Sequence, residues 1–209
     1  MALSPKRQKV DSEDAVLKRT VQEWVEWDPD DKSRKEVEAL LNQSNFGQLK
    51  AMFTPRIAFG TAGDRNYVTF AGLRARMAAG YAFMNDLVII QTTQGFAKYL
   101  VSKVHNAKEK GVALGYDGRY NSKRWAELAA AVFIYAGFNV QLFNRLTCTP
   151  FVPFAVKHMK LAAGVMVTAS HNPKMDNGYK VYFDNGAQII PPHDKGIADS
   201  ILDNLKPWS

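Results

Sequence analysis

Residues 164–173 read Gly-Val-Met-Val-Thr-Ala-Ser-His-Asn-Pro, and this stretch decides the fold. Its apolar first half predicts a short buried strand. Asn172-Pro173 ends that strand, because proline restricts the residue before it and favours a turn. The pattern therefore places the hydroxyl of Ser170 at the edge of a sheet, with the imidazole of His171 next to it. By themselves, the same residues would also suit an ordinary β-turn.

Outward from this stretch, strand-like segments alternate with helical ones. The predicted strands cover residues 111–116, 138–143, 162–167 and 178–183, and the predicted helices cover residues 85–103, 122–136, 151–159 and 193–205. This alternation is typical of a layered α/β domain, in which ligands bind beyond the strand ends.

The N-terminal part of the chain follows a different pattern. Residues 1–12 are polar, and we predict that they form a disordered tail. Apolar residues recur at helical spacing between residues 13 and 54, which predicts an N-terminal helical arm broken at Asp28-Pro29-Asp30-Asp31. The α/β domain is then expected to occupy residues 55–209.

Charge and composition narrow the possible functions. The 209 residues contain 27 Lys and Arg and 20 Asp and Glu, a net charge of +7. All of the excess lies in residues 61–209, which suggests either an anionic ligand or merely a lysine-rich surface. A nucleic-acid partner is not favoured, because no RNA- or DNA-binding motif is recognisable. Cys148 is the single cysteine, which excludes an internal disulfide framework.

Neither a membrane helix nor a secretory signal is recognisable in the sequence. No apolar run reaches the roughly 18 residues that a membrane helix needs, and residues 1–10 lack the apolar core of a secretory signal. We therefore expect a cytoplasmic protein with no membrane partner. The oligomeric state cannot be inferred from these features.

Several further motifs occur in a consistent order. They are Phe59-Gly60-Thr61-Ala62-Gly63, Leu73-Arg74, Asn85-Asp86-Leu87, Gln91-Thr92-Thr93-Gln94-Gly95, Gly115-Tyr116-Asp117-Gly118-Arg119, Thr149-Pro150 and Asn177-Gly178-Tyr179-Lys180-Val181-Tyr182. Together with Thr168-Ala169-Ser170-His171-Asn172-Pro173, they resemble the α-D-phosphohexomutase superfamily, in its phosphoglucomutase/phosphopentomutase branch. The resemblance runs from about residue 30 onward. It implies a three-layer α/β/α domain with a mixed, mostly parallel sheet.

The resemblance also implies roles for individual residues. Ser170 would be the phosphoserine, which exchanges a phosphoryl group with a sugar monophosphate through a bisphosphate. A serine hydroxyl needs a base to become a good nucleophile, and the resemblance leaves the proton-transfer role open between His171 and Lys180. Arg74, Thr61 and Asn172 would bind substrate or phosphate. Asp117 and Arg119 are expected to shape the domain rather than touch substrate.

The cofactors and partners follow from the same resemblance. The family uses Mg²⁺, which the phosphate on Ser170 would help to bind, and glucose 1,6-bisphosphate or an equivalent as the activating phosphoryl donor. The partners would be hexose or pentose phosphates. The remaining metal ligands form an Asp-x-Asp-x-Asp loop in the family, but this sequence has no Asp-x-Asp pair beyond residue 60.

The sequence therefore resembles only the first of four family domains, and we expect domains II–IV to be absent from it. We expect little mutase turnover from this chain alone. The alternative is a catalytically incompetent module that binds sugar phosphates or another partner.

A second departure lies in the N-terminal motif. The family runs directly from Thr-Ala-Gly into Leu-Arg, whereas here Asp64–Gly72 intervene and Ala71-Gly72 repeats Ala62-Gly63. Residues 67–70 could extend a strand or form a loop. Because catalytic groups tolerate little displacement, we expect the insert to disturb the register of Thr61 or Arg74 with Ser170.

Overall fold

The computed structural model describes residues 13–64 and 67–208 of the chain. Within these ranges it contains eight helices: α1 Glu13–Trp27, α2 Asp31–Asn42, α3 Phe46–Phe53, α4 Asp86–Lys103, α5 Ala107–Lys110, α6 Ser122–Tyr135, α7 Phe151–Met159 and α8 His193–Leu202. The six strands in the same ranges are β1 Gly60–Asp64, β2 Tyr67–Arg76, β3 Val112–Tyr116, β4 Val140–Leu142, β5 Ala163–Val167 and β6 Asp176–Phe183. The predicted disordered tail, residues 1–12, lies outside the described residues.

The strands form one mixed sheet, as predicted, in the order β1-β2-β6-β5-β3-β4. Strand β3 is parallel to both β4 and β5, whereas β6 is antiparallel to both β5 and β2. With β1 antiparallel to β2, four of the six described strands run in one direction. Two of the antiparallel pairs, β1–β2 and β5–β6, join consecutive strands through short connections, which cannot form a parallel crossover because that needs about a dozen residues or more.

Helices cover both faces of the sheet, which confirms the α/β/α layering. Tyr179 and Val181 of β6 lie in the larger core, which includes buried side chains of α4, α6 and α8. Tyr182 points to the other face, where it packs with Val152 and Val156 of α7. Strand β5 is buried along its whole length, as expected for a central strand covered on both sides.

The first three helices join the larger core. Trp24 of α1 meets Phe53 of α3 edge to face at 5.7 Å between ring centroids, and Phe53 meets Tyr81 in the same way. Asp30 caps α2 by accepting a hydrogen bond from the backbone N–H of Lys32. These contacts pack the helices of residues 13–53 onto the sheet domain.

Among the described residues, no helix combines the length and apolar character that crossing a membrane requires.

Candidate active site

Ser170 lies on the loop that follows β5, and its side chain is exposed. Its backbone has a φ of +55°, in the left-handed region that non-glycine residues rarely adopt. Thr168 fixes the start of the loop, because its Oγ1 accepts the backbone N–H of Ser170 at 2.9 Å and donates to Asp117 at 2.6 Å. The small residue Ala169 is fully buried between them. The end of the strand thus presents a single hydroxyl to solvent.

Lys180 approaches this hydroxyl from β6. Its Cα pairs with Met166 of β5, and its Nζ donates a hydrogen bond to Oγ of Ser170 at 2.6 Å. The residue is only 8% exposed. Burial lowers the pKa of Lys180, the positive charge of Arg74 lowers it further, and Asp117 acts in the opposite direction. At a given pH, a larger fraction of Lys180 is therefore in the neutral amine form than of an ordinary lysine.

Arg74 completes a cationic cluster at the same end of the sheet. It pairs with Gly178 in the β2–β6 ladder, two residues before Lys180. The guanidinium carbon of Arg74 lies 4.7 Å from the centroid of the Phe70 ring, and Nζ of Lys180 lies 5.5 Å from the same centroid. The position of Phe70 next to both cations was not predicted from the sequence, because Phe70 belongs to the insert and matches no motif.

His171 and Asn172 form the turn after Ser170. The imidazole of His171 is exposed, and among the described contacts no hydrogen bond joins it to Ser170. The side-chain amide of Asn172 donates to Asp176 at 2.9 Å, and the backbone N–H of Asn172 donates to Ala169 at 3.1 Å. Both bonds of Asn172 close the turn.

Thr61 lies elsewhere. Its hydroxyl donates to a carboxylate oxygen of Asp194, at the start of α8, at 2.8 Å. Thr61 pairs with Ala71 on β2, and β2 in turn separates β1 from β6. Two strand spacings amount to about 10 Å, so the structure brings Ser170, Lys180 and Arg74 together without Thr61.

The insert forms most of the β1–β2 hairpin, which decides between the two conformations left open for residues 67–70: they extend a strand. Gly72 has a φ of +139°, and a Cβ there would lie 1.8 Å from the carbonyl oxygen of Tyr179. Only glycine fits at this position opposite Lys180. Arg74 pairs with Gly178 of β6, whereas Thr61 lies on β1 and pairs with β2.

Asp117 and Arg119 hold the loop from the end of β3. The carboxylate of Asp117 accepts the hydroxyl of Ser122 at 2.7 Å in addition to that of Thr168. The guanidinium of Arg119 donates to backbone carbonyl oxygens of the loop. A cleft of about 460 Å³ lies against it, lined by Gly118, Arg119, Tyr120, Asn172 and Lys174.

The described residues do not fit a complete Mg²⁺ site. None of them form a group of three or more His, Cys, Asp or Glu side chains able to hold a metal ion. The nearby carboxylates of Asp117 and Asp176 are engaged by Thr168, Ser122 and Asn172. Magnesium requires several oxygen ligands in octahedral order, and the described residues do not supply such a set.

Two curated relatives and one solved structure illustrate which proteins this chain is similar to. Phosphopentomutase of Homo sapiens is 50% identical over 202 residues, covering 94% of this chain and 32% of the human protein. Glucose 1,6-bisphosphate synthase of Homo sapiens is 43% identical over 202 residues, covering 94% of this chain and 31% of that protein. A crystal structure of a protein assigned as a phosphomannomutase from Thermus thermophilus has a TM-score of 0.60 at 25% identity, over 74% of this chain and 32% of that one.

This chain thus spans about a third of the length of the curated relatives it matches. A family model described as phosphoglucomutase/phosphomannomutase, alpha/beta/alpha domain I, matches residues 56–207. The chain therefore belongs to the phosphoglucomutase/phosphomannomutase family, of which it contains alpha/beta/alpha domain I.

Proposed function

We propose that this chain carries the phosphoserine domain of a phosphosugar mutase, which interconverts a hexose or pentose 1-phosphate and the 6- or 5-phosphate through a bisphosphate. The observation that carries the proposal is the 2.6 Å hydrogen bond from Nζ of Lys180 to Oγ of the exposed Ser170. The names of the two human relatives, a phosphopentomutase and a glucose 1,6-bisphosphate synthase, support the same class of reaction.

In the proposed step, Oγ of Ser170 attacks a phosphorus atom of the sugar bisphosphate. The Oγ–P bond forms, the P–O bond to the sugar breaks, and the hydroxyl proton of Ser170 passes to a base. The neutral amine of Lys180 is in place to accept that proton. The departing sugar oxygen takes up a proton from Lys180, from the adjacent exposed His171 or from solvent.

The positive charges around Ser170 suit this transfer. Phosphoryl transfer depends chiefly on positioning and on cations near the moving group. Arg74 offers a planar fork that binds phosphate with two hydrogen bonds, and it lies close enough to Lys180 to lower the pKa of that amine. Asn172 lines the adjoining cleft. It would contact substrate there, while its side-chain amide remains bound to Asp176.

Magnesium and the phosphoryl donor belong to the same proposal. The phosphate on Ser170 would supply one oxygen ligand to Mg²⁺, and the other ligands would have to come from outside the described residues. Glucose 1,6-bisphosphate is the proposed donor. A cytoplasmic location stays a prediction.

One observation favours a second candidate, a module that binds sugar phosphate without turnover. The insert leaves the hydroxyl of Thr61 on Asp194 and places the ring of Phe70 against Arg74 and Lys180. A phosphate site altered in this way could retain binding while losing transfer.

Intact-mass measurement after incubation with glucose 1,6-bisphosphate separates the two candidates. We expect one added phosphate on the chain, lost in Ser170→Ala and retained in Ser102→Ala, a matched change of an exposed serine on α4. Binding of glucose 1-phosphate without any added phosphate would favour the module. A phosphate that persisted in Ser170→Ala would contradict the assignment of Ser170.

A further inference from the structure

One side chain holds the backbone of the Ser170 loop at four points. Nη2 of Arg119 donates to the carbonyl oxygens of Ser170 at 2.6 Å and Asn172 at 2.8 Å. Nη1 donates to those of Pro173 at 2.8 Å and Asp176 at 3.2 Å. Such bonds from a charged donor are stronger than ordinary neutral ones.

Arg119 is itself held by Asp117, whose carboxylate also binds Thr168 at the start of the loop. Its Nε lies 3.4 Å from Oδ2 of Asp117, and its backbone N–H donates to Oδ1 at 3.0 Å. Oδ2 also accepts the hydroxyl of Thr168, whose oxygen accepts the N–H of Ser170. Asp117 and Arg119 therefore fix both ends of the loop relative to β3.

This arrangement matters because the conformation of Ser170 is unfavourable without support. A left-handed backbone costs an L-residue about 1–2 kcal/mol, and such conformations persist only where the surroundings enforce them. The φ of +55° at Ser170 coincides with the contact between its Oγ and Lys180. A loop released from Arg119 would let Ser170 adopt a commoner conformation and move Oγ away from the amine.

The geometry points to Arg119 as a positioning residue for phosphoryl transfer at Ser170, an inference that rests on the proposed function. Arg119 acts through the loop, since its four Nη N–H groups are directed at carbonyl oxygens and its Nε faces Asp117. The guanidinium group thus has no N–H left for a substrate phosphate. A lysine would keep the charge but could not span four carbonyl groups.

The test compares Arg119→Lys and Arg119→Gln with the unaltered chain. The rate of phosphate addition from glucose 1,6-bisphosphate should fall about 100-fold in both, because a displacement of about 1 Å costs this much. The backbone ¹³C chemical shifts of Ser170 should move away from left-handed values in both variants. Arg145→Gln, an exposed arginine outside the loop, is the control and should change neither quantity.

Each outcome bears on one proposal. Unchanged phosphorylation in Arg119→Lys, or unchanged Ser170 shifts in a folded variant, would overturn the role of Arg119. Thermal denaturation shows whether a variant is folded. If Arg119→Gln is unfolded, the result for the milder Arg119→Lys decides whether Arg119 has the proposed role. Failure of the unaltered chain to take up phosphate would contradict the proposed function, while the chemical shifts would still show whether Arg119 sets the conformation of Ser170.

Discussion

The Ser170 loop and the β1–β2 hairpin flank Lys180 from opposite sides, yet they hold their polar groups differently. In the loop, Asp117 and Arg119 fix the backbone, and the hydroxyl of Ser170 meets Lys180 at 2.6 Å. In the hairpin, Gly72 lies opposite Lys180, but the hydroxyl of Thr61 is bound to Asp194. Both regions contain motifs of the same family.

The difference comes from chain length between the motif residues. The loop keeps its motif contiguous, so that hydrogen bonds over two to ten residues fix its geometry. In the hairpin, nine residues separate Gly63 from Leu73. The chain therefore reverses direction between β1 and β2 before it reaches Arg74. An insert that the fold tolerates at little cost thus places its own side chain, the ring of Phe70, next to Arg74 and Lys180.

The largest expected effect concerns the loop side. We predict that Lys180→Met lowers the rate of Ser170 phosphorylation by about 1,000-fold, because an acid–base group contributes about 100- to 10,000-fold. Mass spectrometry after timed incubation with glucose 1,6-bisphosphate measures this rate. A similar loss in His171→Gln with none in Lys180→Met would transfer the proton-accepting role to His171.

Lys180→Met should also change the pH dependence of stability. Because burial lowers the pKa of Lys180 from 10.5, the unfolded chain binds more protons than the native one between the lowered value and 10.5. The free energy of unfolding contributed by Lys180 therefore rises with pH across that window. Urea unfolding should be measured at several pH values up to 10.5, the ordinary pKa of a lysine. The free energy of unfolding should rise less with pH in the variant than in the unaltered chain. An equal rise in both proteins would contradict the burial of this amine.

A gain of rate is predicted on the hairpin side. Deleting Asp64–Gly72 joins Gly63 to Leu73, so that Gly63 takes the place of Gly72 and Thr61 that of Phe70. A hydroxyl then faces Arg74 and Lys180 in place of a ring. We expect phosphorylation to rise about 10-fold, since a hydrogen bond to a charged group contributes about 1.5 kcal/mol or more.

Point variants sharpen this prediction. Phe70→Thr should give part of the gain, while Phe70→Leu, which adds no hydroxyl, should give none. Thr61→Val in the full chain should leave the rate unchanged, because that hydroxyl lies on Asp194. No gain after deletion would mean that the site accommodates the insert.

Periodicity along the chain predicted most of the fold. Helices predicted over 122–136 and 151–159 appear as α6 Ser122–Tyr135 and α7 Phe151–Met159. The four-residue helix α5 and the pairing of β1 with β2 were not predicted. A single helical turn has too little periodicity to detect, and the hairpin lies in an insert with two open conformations.

The site was predictable only where residues are close in sequence or belong to a motif. The contact of Ser170 with Lys180 follows from two short segments of adjacent strands. The hydrogen bond of Thr61 to Asp194 spans 133 residues and depends on how α8 packs beside β1, which no local pattern specifies. The ring of Phe70 became a neighbour of two cations through strand register alone.

The smallest predicted effect tests the backbone of the loop. Ser170→Gly and Ser170→Ala both remove the hydroxyl, but only glycine relieves the cost of a φ of +55°. We expect the glycine variant to be more stable by about 1 kcal/mol, which corresponds to about 2–4 °C in Tm for a chain of this size. At Ser102, within helix α4, the glycine variant should instead have a lower Tm than the alanine variant, because glycine destabilises a helix relative to alanine. Equal Tm values for the two Ser170 variants would mean that this residue is not left-handed in solution, and the hold of Arg119 on the loop would then have no strained conformation to enforce.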